Sequence, residues 1–458
     1  MDQDGSKAAN GAVGQPHLKR VLGLWDLIIY GIVLIQPIAP VGIFGIAQKI
    51  SIGHVSTTII LAMIAMMLTA FSYGRMAGLY PSAGSAFTYV TIGLNAHLGF
   101  LVGWAMVLDY LMIPLINVIF GSLTLCRLVP GVPYVVWVIL ISGGILLLNL
   151  RGIRAAAWAN SILLLVMSLV VAAFVVLGVH YLFQHQGWSG VFSFQPFYNP
   201  KTFDVHAVAT ATSLAALTYI GFDGVTMLAE EVREPRRTVP LATVLVCLFT
   251  GIFSTVEVYL GQRIWPNYHT FPNLETAFLD VTRRAGGPLL FEAMGVVLFL
   301  ACVGSGLTGQ LGAARLLYGM GRNNVLPSRL FGRLDPKSSS PIFNICLVSV
   351  LVFAGALVLS YERVAELLNF GAFLGFMGVN LAAIRELYFR PERKPERRLL
   401  TGIIIPGLGF LFCLSIWWNL PVPAKVAGGM WFAFGVAYDG IRTRGFQTAP
   451  GTLDFNGL

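Results

Sequence analysis

Three carboxylates stand inside long apolar stretches: Asp109 in Trp104-Ala-Met-Val-Leu-Asp109-Tyr110, Asp223 in Tyr219-Ile-Gly-Phe-Asp-Gly224, and Glu257 toward the end of a third run. An ionisable side chain at membrane depth is costly, so it faces the bundle interior or a wet cavity. Two chemistries fit each one. It binds a cationic group or carries a proton; otherwise Asp109 or Asp223 is a buried acid satisfied by backbone or by a neighbouring helix, and Glu257 an ordinary acid in a water-exposed outer vestibule. Asp26, Glu292 and Glu366 fall nearer the ends of apolar runs, where water and headgroups account for them.

The second chemical signal is broken backbone. Within the first apolar run, Gln36-Pro37-Ile38-Ala39-Pro40-Val41-Gly42 holds two prolines, each of which removes a backbone donor and clashes with the preceding turn. Freed carbonyls at membrane depth are tolerated only where protein buries them or where they line a wet cavity. A matching interruption at Tyr219–Gly224 suggests a paired site of the kind secondary transporters use. If a helix restarts near Val41, the amides of Gly42, Ile43 and Phe44 present a positive dipole end to an anionic group. Gln36, Ile38, Ala39, Tyr110, Tyr219 and Phe222 complete the candidate solute site, with Asp109 and Asp223 as its acids. Asp109, Glu257, Ser305 and Thr308 are the candidates for a coupling ion; the small residues around Ser305 serve equally for close helix packing.

These groups need a membrane frame to position them. Of 458 residues 56% are hydrophobic and 11% charged, against roughly a quarter charged in soluble domains. About 20 apolar residues cross a bilayer. That window places spans near 24–47, 55–74, 98–126, 134–150, 155–183, 205–230, 238–262, 288–318, 341–360, 364–384, 401–420 and 423–441. The chain therefore reads as an all-α polytopic membrane protein with twelve transmembrane helices. The breaks fall in the first and sixth spans, which separates two units of five, and an odd number turns the second unit over in the membrane. The expected organisation is a tail over 1–20, a first repeat over 21–183, an external connection over 184–204, a second repeat over 205–389, a helix pair over 390–441 and a tail over 442–458. Arg75, Arg151, Arg154, Arg233, Arg236, Arg237 and the basic run after Arg390 fall on one side, which puts both termini in the cytoplasm of a cell that holds the protein in its inner membrane. The same bias explains the net charge of +9 without a nucleic acid. The five cysteines match neither a metal site nor a disulfide framework, and no cofactor is expected.

Between the second and third spans, Tyr80-Pro-Ser-Ala-Gly-Ser-Ala-Phe-Thr-Tyr89 reads as a turn and a short amphipathic helix at the cytoplasmic face. This stretch, together with Gly221-Phe-Asp-Gly followed by Glu230-Glu231, Pro235 and Pro240, and with Ala313-Ala-Arg315 through Pro327, resembles the amino acid–polyamine–organocation permeases over nearly the whole chain. Leu108-Asp-Tyr-Leu111, Phe44-Gly45, Trp417-Trp-Asn-Leu420, Gly428 and Trp431 look most like the bacterial putrescine-importer branch. The resemblance implies a leucine-transporter-like 5+5 fold, with alternating access by a bundle of spans one, two, six and seven. Two positions depart from it. Gln36-Pro-Ile-Ala-Pro-Val-Gly42 replaces the Gly-Ser/Thr-Gly run of amino-acid-selective members, and Met167 stands where proton-coupled members often have lysine.

The expected activity is secondary active import of a small amine-bearing solute, an amino acid or a polyamine, coupled to a proton in preference to sodium. An exchanger and a non-transporting sensor share the architecture. A channel would need rings of like groups, and an enzyme a nucleophile–base or metal constellation; neither pattern is present.

Overall fold

The computed structural model describes residues 21–36, 38–81, 85–151, 157–322, 326–335, 340–390, 398–448 and 450, with backbone alone at 157–161, 227 and 230. The expected tail over 1–20, Pro37, Ser82-Ala83-Gly84, Arg154, most of the basic run after Arg390 and residues 451–458 lie outside them.

The first apolar run folds as α1 (Leu24–Ile35), a 3₁₀ turn (Ala39–Val41) and α2 (Phe44–Ile50). Asp26 starts α1 by accepting from the Gly23 amide at 2.8 Å. Gln36 ends it with φ 71°, a left-handed value that a non-glycine residue adopts at a cost. Next come α3 (Val55–Leu79), α4 (Ser85–Gly93), α5 (Ala96–Leu128), α6 (Tyr134–Leu150), α7 (Ala157–Gln186) and the single turn α8 (Trp188–Val191). The second interruption follows the same plan as the first: α9 (Val205–Ala215), a 3₁₀ turn (Ala216–Tyr219), extended Ile220, Gly221 at φ 117°, then α10 (Gly224–Met227). Then follow α11 (Pro235–Ile264), α12 (Ala277–Arg322), the single turn α13 (Ser328–Phe331), α14 (Ile342–Val358), α15 (Tyr361–Ile384), α16 (Ile405–Trp418) and α17 (Val422–Arg442). Among the described residues nine helical segments have the length and apolarity to cross a membrane, and α6 and α14 are shorter apolar helices. The described secondary structure is helical apart from one isolated bridge, Leu22 to Val232.

Two details depart from the sequence-based expectation. The segment after Tyr80 forms the short helix expected, but is more enclosed than a surface helix: Ser85, Ala86, Phe87, Tyr89 and Val90 of α4 are buried, Thr88 and Thr91 half-buried, and Ile92 exposed. The span expected over 288–318 belongs to a longer helix, α12, which bends at Gly286 and Gly287 (φ 72°) immediately before Pro288. Its outer arm, with Ala277, Phe278 and Val281 buried, lies over α2, where Gly45 leaves room for the Leu274 carbonyl and Ala277.

Helices in a lipid surround gain little from hydrophobic transfer between them, so small residues and polar clasps set their packing. Gly74 lets α3 meet the backbone of α11 at Pro240, and Thr243 donates to the Ala70 carbonyl at 2.9 Å. Asn149, Gln310 and Ser349 form a buried chain of hydrogen bonds joining α6, α12 and α14. Trp104 of α5 and Trp431 of α17 stack at 4.8 Å, and each donates its indole N–H to the other's carbonyl at 3.0 Å.

Candidate functional site

The two interruptions meet. A side chain at Gly221 would lie 3.5 Å from Leu34 and Ile35, and Gly224 sits directly under the Leu34 side chain. Gly221 adopts a positive φ that reverses the chain there, so this contact depends on glycine at 221 for its torsion and at 224 for its small size. Away from that meeting point the two broken segments are tied again: the Val21 and Leu22 amides donate to the Glu231 carbonyl at 2.9 and 3.0 Å, and the Arg233 amide donates to the Leu22 carbonyl at 3.2 Å.

Below the break Asp223 is half-buried, with the amides of Gly221, Asp223 and Gly224 within hydrogen-bonding reach of its carboxylate. Its charge acts on Asp109, Tyr110, Tyr30, Tyr73 and Tyr89, so these groups share one region. Asp109 is buried, and its Oδ1 has no hydrogen-bond partner among the described residues. An aromatic cluster adjoins the acids. Tyr73 lies edge-on to Tyr89 (6.1 Å), Phe222 (5.4 Å) and Phe376 (5.7 Å), and Phe222 lies 5.2 Å from Phe376. Gly371 brings α15 onto the α5 backbone at Ala105 and Asp109, which carries Phe376 into the cluster. Carboxylates beside aromatic rings form a site for an organic cation, which is attracted both by the charge and by the ring faces.

The expected site residues divide into two groups. Asp109, Tyr110, Phe222 and Asp223 are brought together. Gly42, Ile43 and Phe44 lie apart from them under the outer arm of α12: Gly42 faces the Tyr361 hydroxyl and Phe120, and Phe44 is edge-on to Phe278 at 5.3 Å and Phe271 at 5.9 Å. Ile38 is buried and Ala39 half-buried in the turn between. Gln36 donates to the Ala301 carbonyl of α12 at 3.3 Å, and Tyr219 to the Ile59 carbonyl of α3 at 2.9 Å, so both side chains pin the breaks to their neighbours. Ser305 accepts from Asn117 at 3.0 Å; Thr308 is exposed and donates to Gly304 of its own helix. Glu257 is buried, with no partner for either oxygen among the described residues. Tyr73, Tyr89 and Phe376 are the residues that sequence reasoning missed. Only Tyr89 carried a signal, as the last residue of the Tyr80–Tyr89 motif.

The family model for amino acid permeases matches residues 22–438. The chain belongs to the amino acid permease family. It is similar over 94% of its length to the low-affinity putrescine importer PlaP of Escherichia coli, at 30% identity and covering 95% of that protein. A branched-chain amino acid permease, BcaP of Lactococcus lactis, is 23% identical over 92% of this chain and 94% of its own. A methylthioribose transporter of Bacillus subtilis is 25% identical over 91% of this chain and 92% of its own. Among solved structures, a histidine-to-alanine mutant of the manganese transporter of Eremococcus coleocola superposes with a TM-score of 0.56 at 10% identity, over 92% of this chain and 96% of that one, and so shares the fold. Members of the family are permeases rather than enzymes, and several membrane-length helices make this one a multi-pass membrane protein. The relatives' names span a diamine, branched-chain amino acids and a thioribose, so family membership leaves the solute open.

Proposed function

We propose that this permease is a secondary active importer of a small amine-bearing solute, an amino acid or a polyamine, working by alternating access and driven by protons. In this reading it has twelve spans, the first ten forming a leucine-transporter-like 5+5 inverted repeat, with both termini in the cytoplasm and the protein in the inner membrane. The observation that carries it is the juxtaposition of Asp109 and Asp223 with Tyr73, Phe222 and Phe376 beneath the meeting point of the two breaks. The acids and ring faces receive the ammonium group, and breaks that meet at one point let both broken spans respond to its arrival.

Similarity to a putrescine importer favours a diamine. So does the separation of the acids from the Gly42–Phe44 segment. A diamine has no carboxylate for those amides, and needs acids instead.

The test is uptake of labelled putrescine and of an amino acid panel into proteoliposomes under an imposed proton or sodium gradient, for the wild type and Asp109→Asn. Putrescine should accumulate with the proton gradient in the wild type and fail to do so in a folded variant. Equal accumulation of a neutral amino acid by both proteins would sink the cationic reading. Strict one-for-one exchange, with no net accumulation under either gradient, would replace the importer with an exchanger.

A further inference from the structure

Glu257 is the most isolated acid in the described protein. It is 1% exposed, and neither carboxyl oxygen has a hydrogen-bond partner among the described residues. Ser56, Ser254 and Thr218 share that condition among the described residues: each is buried with an unpartnered Oγ.

The packing brings these four side chains to one level. On α11, Val246 meets Gly31 of α1 and Gly261 meets Phe44 of α2. Glu257 lies on the same stripe between them, and so faces the interrupted stretch where the 3₁₀ turn Ala39–Val41 packs on α11. Ser254 is one turn inward on the same helix. The antiparallel register of α3 on α11 is set by Gly74 with Pro240, Ala70 with Thr243 and Met63 with Gly251. Carried outward, it sets Ser56 opposite Val258, next to Glu257. The Tyr219 hydroxyl reaches Ile59, one turn from Ser56, which puts Thr218 at this depth; its 3₁₀ turn packs on α3, on α11 and on Ala39–Val41. An ionised carboxylate so enclosed would cost several kcal/mol. Four buried oxygen-bearing side chains without a partner among the described residues are therefore suited to hold a positive charge.

We propose that Glu257, with Ser56, Ser254 and Thr218 around it, is the proton site that couples transport, separate from the solute site at Asp109 and Asp223. The proposal rests on the transport reading above and names the residue that carries the driving ion. Glu257 takes one proton from outside water and holds it as a neutral acid while the breaks are packed as described here; movement of the breaks exposes it and returns the proton to water. Among the described residues, Gln36 to Phe44 contain no titratable group, Tyr219 is engaged at Ile59, His54 at the outer end of α3 is held by Ser51 and Asn199, and Met167, Val171 and Phe174 of α7 carry no charge.

Two readouts on the full-length protein test this. Infrared spectra of the purified wild type should contain a deuterium-sensitive band of a protonated carboxyl group that is missing from Glu257→Gln and kept in Asp109→Asn. A band unchanged in Glu257→Gln overturns the proposal. So does loss of the wild-type band when sodium chloride replaces choline chloride, with one radioactive sodium ion bound per chain, since the site is then a sodium site. In proteoliposomes with a trapped pH dye, the protons entering per putrescine should fall at least tenfold in Glu257→Gln and recover in part in Glu257→Asp. An unchanged ratio also overturns it. If the wild type moves neither putrescine nor any amino acid, the transport reading fails and the infrared result alone judges the proton site.

Discussion

Tyr80, at the end of α3, donates its hydroxyl hydrogen to Glu386 at 2.5 Å, joining two chain segments more than 300 residues apart. Arg390 completes the cluster, with Nη1 2.6 Å from the Glu386 carboxylate and bonded to the Tyr80 hydroxyl as well. Glu386 sits in a π turn, Arg385–Phe389, that extends α15, and Arg385 caps the Gly93 and Leu94 carbonyls at the end of α4. This clasp ties the ends of α3, α4 and α15 together, and Gly45 under Leu274 and Ala277 brings α2 against the start of α12.

Hydrogen bonds to charged groups contribute about 1.5–3 kcal/mol. Glu386→Gln should therefore raise the population opened at this clasp by roughly tenfold or more. Faster hydrogen exchange across Val90–Gly93 in the purified variant would register it; unchanged exchange there would show that the clasp does not hold α4 in place.

Substitution at the two solute-site acids should separate binding from architecture. Asp223→Asn removes the charge but keeps a group that can accept from the surrounding amides, so the chain should fold and lose cationic solute. Loss of one desolvated charge partner costs about 2–5 kcal/mol, or an affinity drop on the order of 30-fold or more. Binding titrations of putrescine against the wild type measure it, and an affinity within twofold would refute the role.

Gly221→Ala forces a side chain into a positive-φ position. The strain is about 1–3 kcal/mol, while the added methyl would meet Leu34 and Ile35 at ordinary contact distance, so the torsion alone carries the effect. Transport should fall more than tenfold while the melting temperature drops only modestly. Full activity would show that the breaks tolerate separation.

Trp431→Phe keeps the stacked ring on Trp104 and deletes one of the two reciprocal indole hydrogen bonds. Hydrogen bonds between membrane helices average below 1 kcal/mol, so a loss of about 1 kcal/mol is expected, with transport retained. Denaturation in mixed micelles gives the value.

Glu275 lies in the segment before α12, outside the membrane-length helices. Burial raises its pKa above the ordinary 4.5; the Tyr361 amide offsets part of the shift, and neighbouring Glu362 adds to it. The folded protein thus holds this proton more tightly than the unfolded chain does. Its contribution favours folding at low pH and is lost as pH rises through the folded value. Relative to the wild type, Glu275→Gln should gain stability on going from pH 4 to pH 7 in thermal unfolding. A difference independent of pH would contradict the assignment.

Much of this protein was legible in one dimension, for physical reasons. Lipid imposes a length and an apolarity on each crossing that no soluble context requires, so the nine membrane-length helical segments among the described residues fall where the apolar runs were read. Proline removes a backbone donor wherever it stands, and glycine alone takes the torsion at Gly221, so both interruptions could be read from residue type. A carboxylate amid apolar residues is conspicuous at any position, which is how Asp109, Asp223 and Glu257 were found. Tertiary structure decided which of these signals belong together. Tyr73 and Phe376 look like ordinary span residues, because an aromatic ring becomes part of a cation site only through what α3 and α15 place beside it. Ser56, Ser254 and Thr218 are unremarkable hydroxyls until helix register leaves them unpartnered at the depth of Glu257. The amides at Gly42–Phe44 were expected beside the acids, yet the fold sets them under Phe278 and Tyr361. Distance in space comes from crossing angles and from small-residue contacts such as Gly371 on Ala105, and the order of residues along a chain does not encode it locally.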